Sequence, residues 1–154
     1  MVKGGSMTKV TVIDDDENIL ELYADYLDAL GFKDISLHSD SKPFGDLEYV
    51  MDVVKDTEVI FCDIRMPDVD GKDIMDLVVE ARKRLGKQVL FVFISGIPKD
   101  YYPCTSDGWG AMVKADDIIG KPITLNEMKE LLDGHGIYPA KADEAIKAFD
   151  EESA

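Results

Sequence analysis

Cysteine, histidine and tryptophan are scarce in this 154-residue chain, at two, two and one residue respectively. Cys62 lies inside an apolar run and Cys104 in a polar stretch containing Pro and Gly. Two such cysteines make no disulfide framework, so a reducing cytoplasm is the expected setting. His38 and His135 have no Cys partner nearby in sequence and are read as surface residues. Basic side chains are also few: 17 Lys and Arg stand against 32 Asp and Glu, a formal net charge of -15. That balance argues against a nucleic-acid partner, because phosphate neutralisation needs Lys and Arg. It argues equally against an anionic membrane surface, and it favours solubility and a cation site. No apolar run is long enough to span a bilayer, and no secretory signal pattern is visible. Residues 1–6 read as a flexible leader or cloning scar, with the domain beginning near Met7.

What is present is an ordinary globular balance, 45% hydrophobic and 32% charged, in a chain long enough to bury a core without staples. Two kinds of segment alternate. Short β-branched or apolar runs occur at Lys9-Val10-Thr11-Val12-Ile13, Ile35-Ser36-Leu37-His38, Val59-Ile60-Phe61-Cys62, 89–94 and Ile118-Ile119. Between them lie segments with helical apolar spacing, over 17–30, 44–54, 74–85 and 125–132. Pro98, Pro103, Gly108 and Gly110 interrupt the place of a further helix, which is expected to be short, shifted toward 111–115, or replaced by a loop. Strands alternating with helices imply right-handed crossovers and a parallel sheet. Continuously apolar strands imply that the sheet is covered on both faces. The expected fold is therefore α/β: a doubly wound, five-stranded sandwich with five helices, the fourth irregular.

In such folds the functional site lies outside the carboxyl ends of the strands. Here those ends carry Asp14-Asp15, Asp63, Ser95 and Lys121. Like charges at ~4 Å and an effective dielectric of about 20 repel by on the order of 4 kcal/mol per pair. Converging carboxylates therefore need a cation among them or a proton on one. Oxygen donors of this kind suit Mg²⁺, which takes one or two carboxylates and keeps its waters. An ionised aspartate can act as a nucleophile and form an acyl phosphate. Lys121 supplies an ammonium that favours the ionised form, and Ser95 a hydroxyl able to bond a phosphoryl oxygen.

Four motifs carry a family resemblance. Val10-Thr11-Val12-Ile13-Asp14-Asp15-Asp16-Glu17-Asn18-Ile19-Leu20 resembles the opening of response-regulator receiver domains. Val59-Ile60-Phe61-Cys62-Asp63-Ile64-Arg65-Met66-Pro67-Asp68-Val69-Asp70-Gly71 is similar to that family's phosphorylation-site segment. Ile94-Ser95-Gly96 and Ala115-Asp116-Asp117-Ile118-Ile119-Gly120-Lys121-Pro122 are similar to its last two signatures. The likeness covers roughly residues 7–134 and implies a flavodoxin-like sheet of order 2-1-3-4-5. It implies Asp63 as phosphoacceptor, and Mg²⁺ held by Asp15, Asp63 and the backbone carbonyl of Arg65, with Asp14 acting through a water. Lys121 is expected to pair with the acceptor or its phosphate, and Ser95 to move toward the phosphoryl group. The implied donor is a phosphohistidine on a histidine kinase or histidine phosphotransfer protein, and the output partner is left open. The expected role is a signalling phosphoacceptor and not a turnover enzyme.

Ile118 stands where the family often has Tyr or Phe, Ser95 where Thr is commoner, and Gly120 precedes Lys121 in a position that loosens a strand. Arg65 and Ile97 flank the acceptor and are candidates for setting phosphate lifetime. Tyr101, Tyr102 and Trp109 form an aromatic group open to reading as loop packing or as a partner patch. In residues 135–154, Ala142, Ala145, Ile146 and Phe149 have helical spacing, compatible with a packed extra helix, a linker or a partner helix. Two other readings of the whole chain are an interaction-only pseudo-receiver and a Mg²⁺-dependent aspartyl phosphohydrolase. The second usually needs another acid two residues past the nucleophile, where this chain has Arg65.

Overall fold

The computed structural model describes residues 7–96 and 115–139. Along these the order is β1 (Lys9–Ile13), α1 (Glu17–Ala29), β2 (Asp34–His38), a 3-10 turn (Lys42–Gly45), α2 (Leu47–Asp56), β3 (Val59–Asp63), α3 (Gly71–Leu85), β4 (Leu90–Ser95), β5 (Asp117–Gly120) and α4 (Leu125–Gly134). The expected irregular helix over 98–115, the Tyr101, Tyr102 and Trp109 group, Ile97 and the helical spacing in the tail lie outside the described residues. The five strands form one parallel sheet in the order β2-β1-β3-β4-β5. The expected doubly wound topology is the one observed.

Alternation along the central strands divides the core in two, as the pleat requires. Ile60 and Cys62 of β3, with Phe91 and Phe93 of β4, face a cluster that includes Val50 and Val54 of α2 and Ile74, Met75 and Val78 of α3. Val59, Phe61, Val92 and Ile94 face the opposite cluster, with Leu20, Tyr23 and Leu27 of α1 and Met128 and Leu132 of α4. Both faces are thus covered, which is why β3 is buried at every position.

Helix starts are set by side-chain caps. The Asp16 carboxylate accepts the N–H groups of Asn18 and Ile19, and those of Asp46 and Asp70 accept Tyr49 N–H and Asp73 N–H. Thr124 and Glu127 form a reciprocal capping box at α4. Two expected boundaries change for this reason. The second helix does not begin at Phe44: Pro43 heads a 3-10 turn, and Asp46 starts α2 afresh. The third begins at Gly71 and not at Ile74, because Asp70 caps it one turn earlier.

The surface reading of the histidines is half right. His135 is exposed and approaches Asp117 Oδ2 at 3.5 Å. His38 is half-buried, bonded to Ser36 Oγ at 3.0 Å and edge-on to Phe44. Gly120 is the last residue of β5 and pairs in register with Ser95.

Candidate functional site

Strand register builds the site. Ile13 pairs with Cys62, so the residues that follow, Asp14 and Asp63, leave the sheet side by side. Asp63 pairs with Ile94 and Ser95 with Gly120, which brings Ser95 and Lys121 to the same rim. Lys121 N–H then bonds the Ser95 carbonyl at 2.7 Å, holding the lysine loop against β4. Parallel pairing alone, across chain separations of dozens of residues, converts four scattered signals into one cluster.

The three consecutive aspartates take three roles. Asp16 caps α1. Asp15 is exposed and faces solvent at the rim. Asp14 is buried at 1% exposure, its Oδ1 accepting Asp16 N–H at 2.9 Å. One carboxylate oxygen each from Asp14, Asp15 and Asp63 lies within 4.8 Å of the others. Lys121 Nζ sits 2.8 Å from Asp14 Oδ2 and 3.4 Å from Asp63 Oδ1. Lys121 Nζ thus provides the counter-charge of the buried Asp14 Oδ2, which has no further hydrogen-bond partner. Asp63 Oδ1 also accepts Ile64 N–H at 2.9 Å. Ser95 is buried at the end of β4. Arg65 is exposed on the loop between β3 and α3.

The electrostatics follow from this crowding. Burial first, and then the negative charge of Asp14, push the Asp63 carboxyl up to about 6 from an ordinary 3.8, against the opposing pull of Lys121 and Ile64 N–H. Burial pulls the Lys121 ammonium down, but Asp14 and Asp63 more than offset it, and its pKa ends above the usual lysine value. One ammonium therefore serves two carboxylates. Three carboxylates that each bring an oxygen within 4.8 Å of the others offer the donor set of a hard divalent cation site.

Gly71 closes the site from below. Its N–H bonds the Ile64 carbonyl at 2.6 Å. A Cβ here would collide with the Asp63 carbonyl oxygen and come within 2.9 Å of Ile64 Cα and Phe93 Cε1. β3 and the start of α3 can approach this closely only with hydrogen at that position.

A sequence model of the response regulator receiver domain matches residues 10–133. The chain belongs to this family. Among curated receiver-containing proteins it is 24% identical over 122 residues to the response regulator SaeR of Staphylococcus aureus, covering 79% of this chain and 47% of that protein. The chain thus spans about half the length of the curated relatives it matches. Solved structures described as receiver domains are among its structural neighbours. One is the receiver domain of the histidine kinase CKI1 from Arabidopsis thaliana, complexed with Mg²⁺: TM-score 0.67 at 18% identity, covering 82% of this chain and 90% of that one. Another is a response regulator receiver domain protein from Clostridium thermocellum: TM-score 0.63 at 20% identity, covering 82% and 92%. A third is the CheX-CheY complex with BeF3⁻ and Mg²⁺ from Borrelia burgdorferi: TM-score 0.64 at 18% identity, covering 83% and 89%. At these identities the structural neighbours speak to the fold.

Within the receiver site, the residues singled out from sequence come together: Asp14, Asp15, Asp63 and Lys121 by direct proximity, and Ser95 by strand register. Gly71 entered the sequence reading only as part of a motif, although a side chain there would meet the Asp63 carbonyl oxygen. That reading also treated Tyr23 as one more apolar residue of the first helix. The available signal was a phenol in a stripe otherwise made of Ile19, Leu20, Leu27 and Leu30. Among the described residues, no helix is long and apolar enough to cross a membrane.

Proposed function

We propose that this receiver domain accepts a phosphoryl group on Asp63, from a phosphohistidine carried by a histidine kinase or histidine phosphotransfer protein. The observation that carries the reading is the Lys121 ammonium bridging Asp14 and Asp63, beside an Asp15 carboxylate within cation-sharing distance of both. Asp15, Asp63 and the Arg65 carbonyl would hold Mg²⁺, with Asp14 acting through a water. When bound, the ion offsets negative charge on the acceptor and on the phosphoryl oxygens.

The protein groups do the rest. An Asp63 carboxylate oxygen attacks phosphorus and forms the acyl-phosphate bond. The P–N bond breaks, and its electrons return to an imidazole already protonated on its other nitrogen, which leaves neutral. Lys121 keeps Asp63 ionised before transfer and follows the charge to the phosphoryl oxygens afterwards. The Ser95 hydroxyl, at the end of β4, donates to one of those oxygens and links their position to the sheet edge. Asp63 at about 6 is ionised at neutral pH and loses its nucleophilic form as pH falls below that value. The receiver unit runs over residues 7–134, with 135–154 as an extension whose first residues return to the residue before β1, through a bond from Thr8 N–H to the Pro139 carbonyl at 3.1 Å. The role is that of a signalling acceptor working in the cytoplasm, and not of a turnover enzyme.

The test is labelling by a small phosphodonor. The chain should acquire one acid-stable, base-labile phosphoryl group only when Mg²⁺ is present, and Asp63→Asn should acquire none. Undiminished labelling of Asp63→Asn would remove Asp63 as the acceptor.

A further inference from the structure

Among the described residues, two buried side-chain polar atoms lack a hydrogen-bond partner: Asp14 Oδ2 and Tyr23 Oη. They are chemically complementary. The first is a carboxylate acceptor, and the second is a phenol with a proton to give. An orphaned buried hydroxyl is costly, and Tyr23 is only 1% exposed. It is also well placed. Tyr23 packs from α1 in the cluster that includes Val10, Val12, Ile94 and Ile123, whereas Ile13 belongs to the opposite cluster. By strand alternation Asp14 therefore leaves β1 on the face that α1 covers. Val12, Ile94 and Ile123 lie next to the strand ends and the loop that carry Asp14, Ser95 and Lys121. Burial, then the charges of Asp14 and Asp63, raise the phenol's pKa. It therefore remains a neutral donor at any physiological pH, and it lies within the electrostatic reach of both carboxylates.

In the unphosphorylated chain Asp14 Oδ2 has Lys121 Nζ at 2.8 Å, and Asp63 has the same ammonium at 3.4 Å. A phosphoryl group on Asp63 brings more negative charge to the Asp63 side, and a single lysine cannot serve both sides equally. As Lys121 shifts toward the phosphoryl oxygens, a carboxylate with a side chain only 2% exposed loses its direct ammonium contact. Leaving a buried charge unpaired is far more costly than losing one ordinary contact. Mg²⁺ and its water would supply part of what Lys121 withdraws, and the other orphaned buried group among the described residues, the Tyr23 phenol, is a donor that can supply a directed bond.

We infer that Tyr23 is a positioning residue of the switch, whose phenol donates to Asp14 Oδ2 when Lys121 leaves that oxygen for the phosphoryl group on Asp63. A carboxylate oxygen has two acceptor directions, so a water directed at the metal does not compete with this bond. The orphaned hydroxyl destabilises the unphosphorylated state and is satisfied in the phosphorylated one. Tyr23 thus biases the equilibrium toward the phosphorylated arrangement from beneath the site, whereas Ile118 gives β5 no hydroxyl to contribute. The inference rests on Asp63 as acceptor.

Tyr23→Phe removes the hydroxyl and keeps the packing volume. Beryllofluoride, with Mg²⁺, serves as the acyl-phosphate mimic, added to the whole chain as wild type, Tyr23→Phe and Asp63→Asn. In the free protein Tyr23→Phe should melt no lower than wild type, because the lost hydroxyl had no partner. Its affinity for beryllofluoride should fall about tenfold, the equivalent of one charge-assisted bond. In wild type labelled at tyrosine Cζ, the resonance missing from Tyr23→Phe should move on beryllofluoride addition in the direction of stronger donation. A residue that merely fills space would shift melting alike with and without beryllofluoride and leave that resonance still. Asp63-dependent binding that is unaffected by Tyr23→Phe, or an unmoved resonance, would overturn the Tyr23 role alone. Wild-type binding no stronger than that of Asp63→Asn would overturn the acceptor assignment and this inference with it.

Discussion

Replacing Asp63 with Asn should make the metal-free protein more stable, by an amount that depends on pH in a fixed direction. The folded carboxyl titrates at about 6 and the ordinary one at 3.8. Between those values the native state holds a proton that the unfolded chain has released. Stability therefore falls as pH rises from about 4 to about 6, and the full penalty is present above that window. A displacement from 3.8 to about 6, at ~1.36 kcal/mol per pH unit, is worth about 3 kcal/mol. Asp63 is 9% exposed, so solvent screens little of it. For a domain of this size that energy corresponds to roughly 6–12 °C in melting temperature. Asp63→Asn should melt higher than wild type by about this much at pH 7 without metal, and the gain should vanish near pH 4. Mg²⁺ at about a hundredfold excess over its dissociation constant contributes about 2.7 kcal/mol to whichever protein binds it. It should therefore raise wild type most and close much of the gap. Calorimetry at pH 4 and pH 7, with Mg²⁺ and with a chelator, measures all four quantities. An Asn variant no more stable at pH 7, or equally favoured at both pH values, would refute the claim that repulsion and burial at Asp63 are what the cation relieves.

Lys121→Gln strands the Asp14 charge, whose side chain is 2% exposed. It should cost about 3–5 kcal/mol at pH 7 in urea unfolding, with part regained on adding Mg²⁺. Gly71→Ala drives a methyl into the Asp63 carbonyl oxygen, so a loss of about 1–3 kcal/mol is expected. Weaker phosphodonor labelling should accompany it, and a variant as stable and as well labelled as wild type would show that the close approach is dispensable. Arg82 bonds the Val89 carbonyl and, through Nη2 at 2.6 Å, Asp116 Oδ2, which in turn accepts Phe91 N–H at 2.7 Å. Removing it in Arg82→Ala should cost about 2–4 kcal/mol, and amide exchange should rise first in β5.

Much of this protein was settled by the sequence alone. The alternation of apolar runs with helical spacing required a parallel sheet covered on both faces, because nothing else buries Val59-Ile60-Phe61-Cys62 completely. Crossover handedness and strand ends then placed Asp14, Asp15, Asp63, Ser95 and Lys121 on one rim, since polar residues that end buried strands have nowhere else to emerge. Local cap competition was only partly legible: Asp46 and Asp70, and not the apolar pattern, decided where α2 and α3 begin.

Distances and burial were left to tertiary structure. Three adjacent aspartates look alike in sequence. Only the register of β1 against β3 sends Asp14 inward to Lys121, leaves Asp15 at the rim and assigns Asp16 to the helix cap. The orphaned hydroxyl of Tyr23 was equally out of reach, because helical spacing reports which face is buried and not whether a polar tip on that face finds a partner. Periodicity is a property of neighbours along the chain. The sharing of one ammonium between two carboxylates about fifty residues apart arises only when the sheet has brought their strands together.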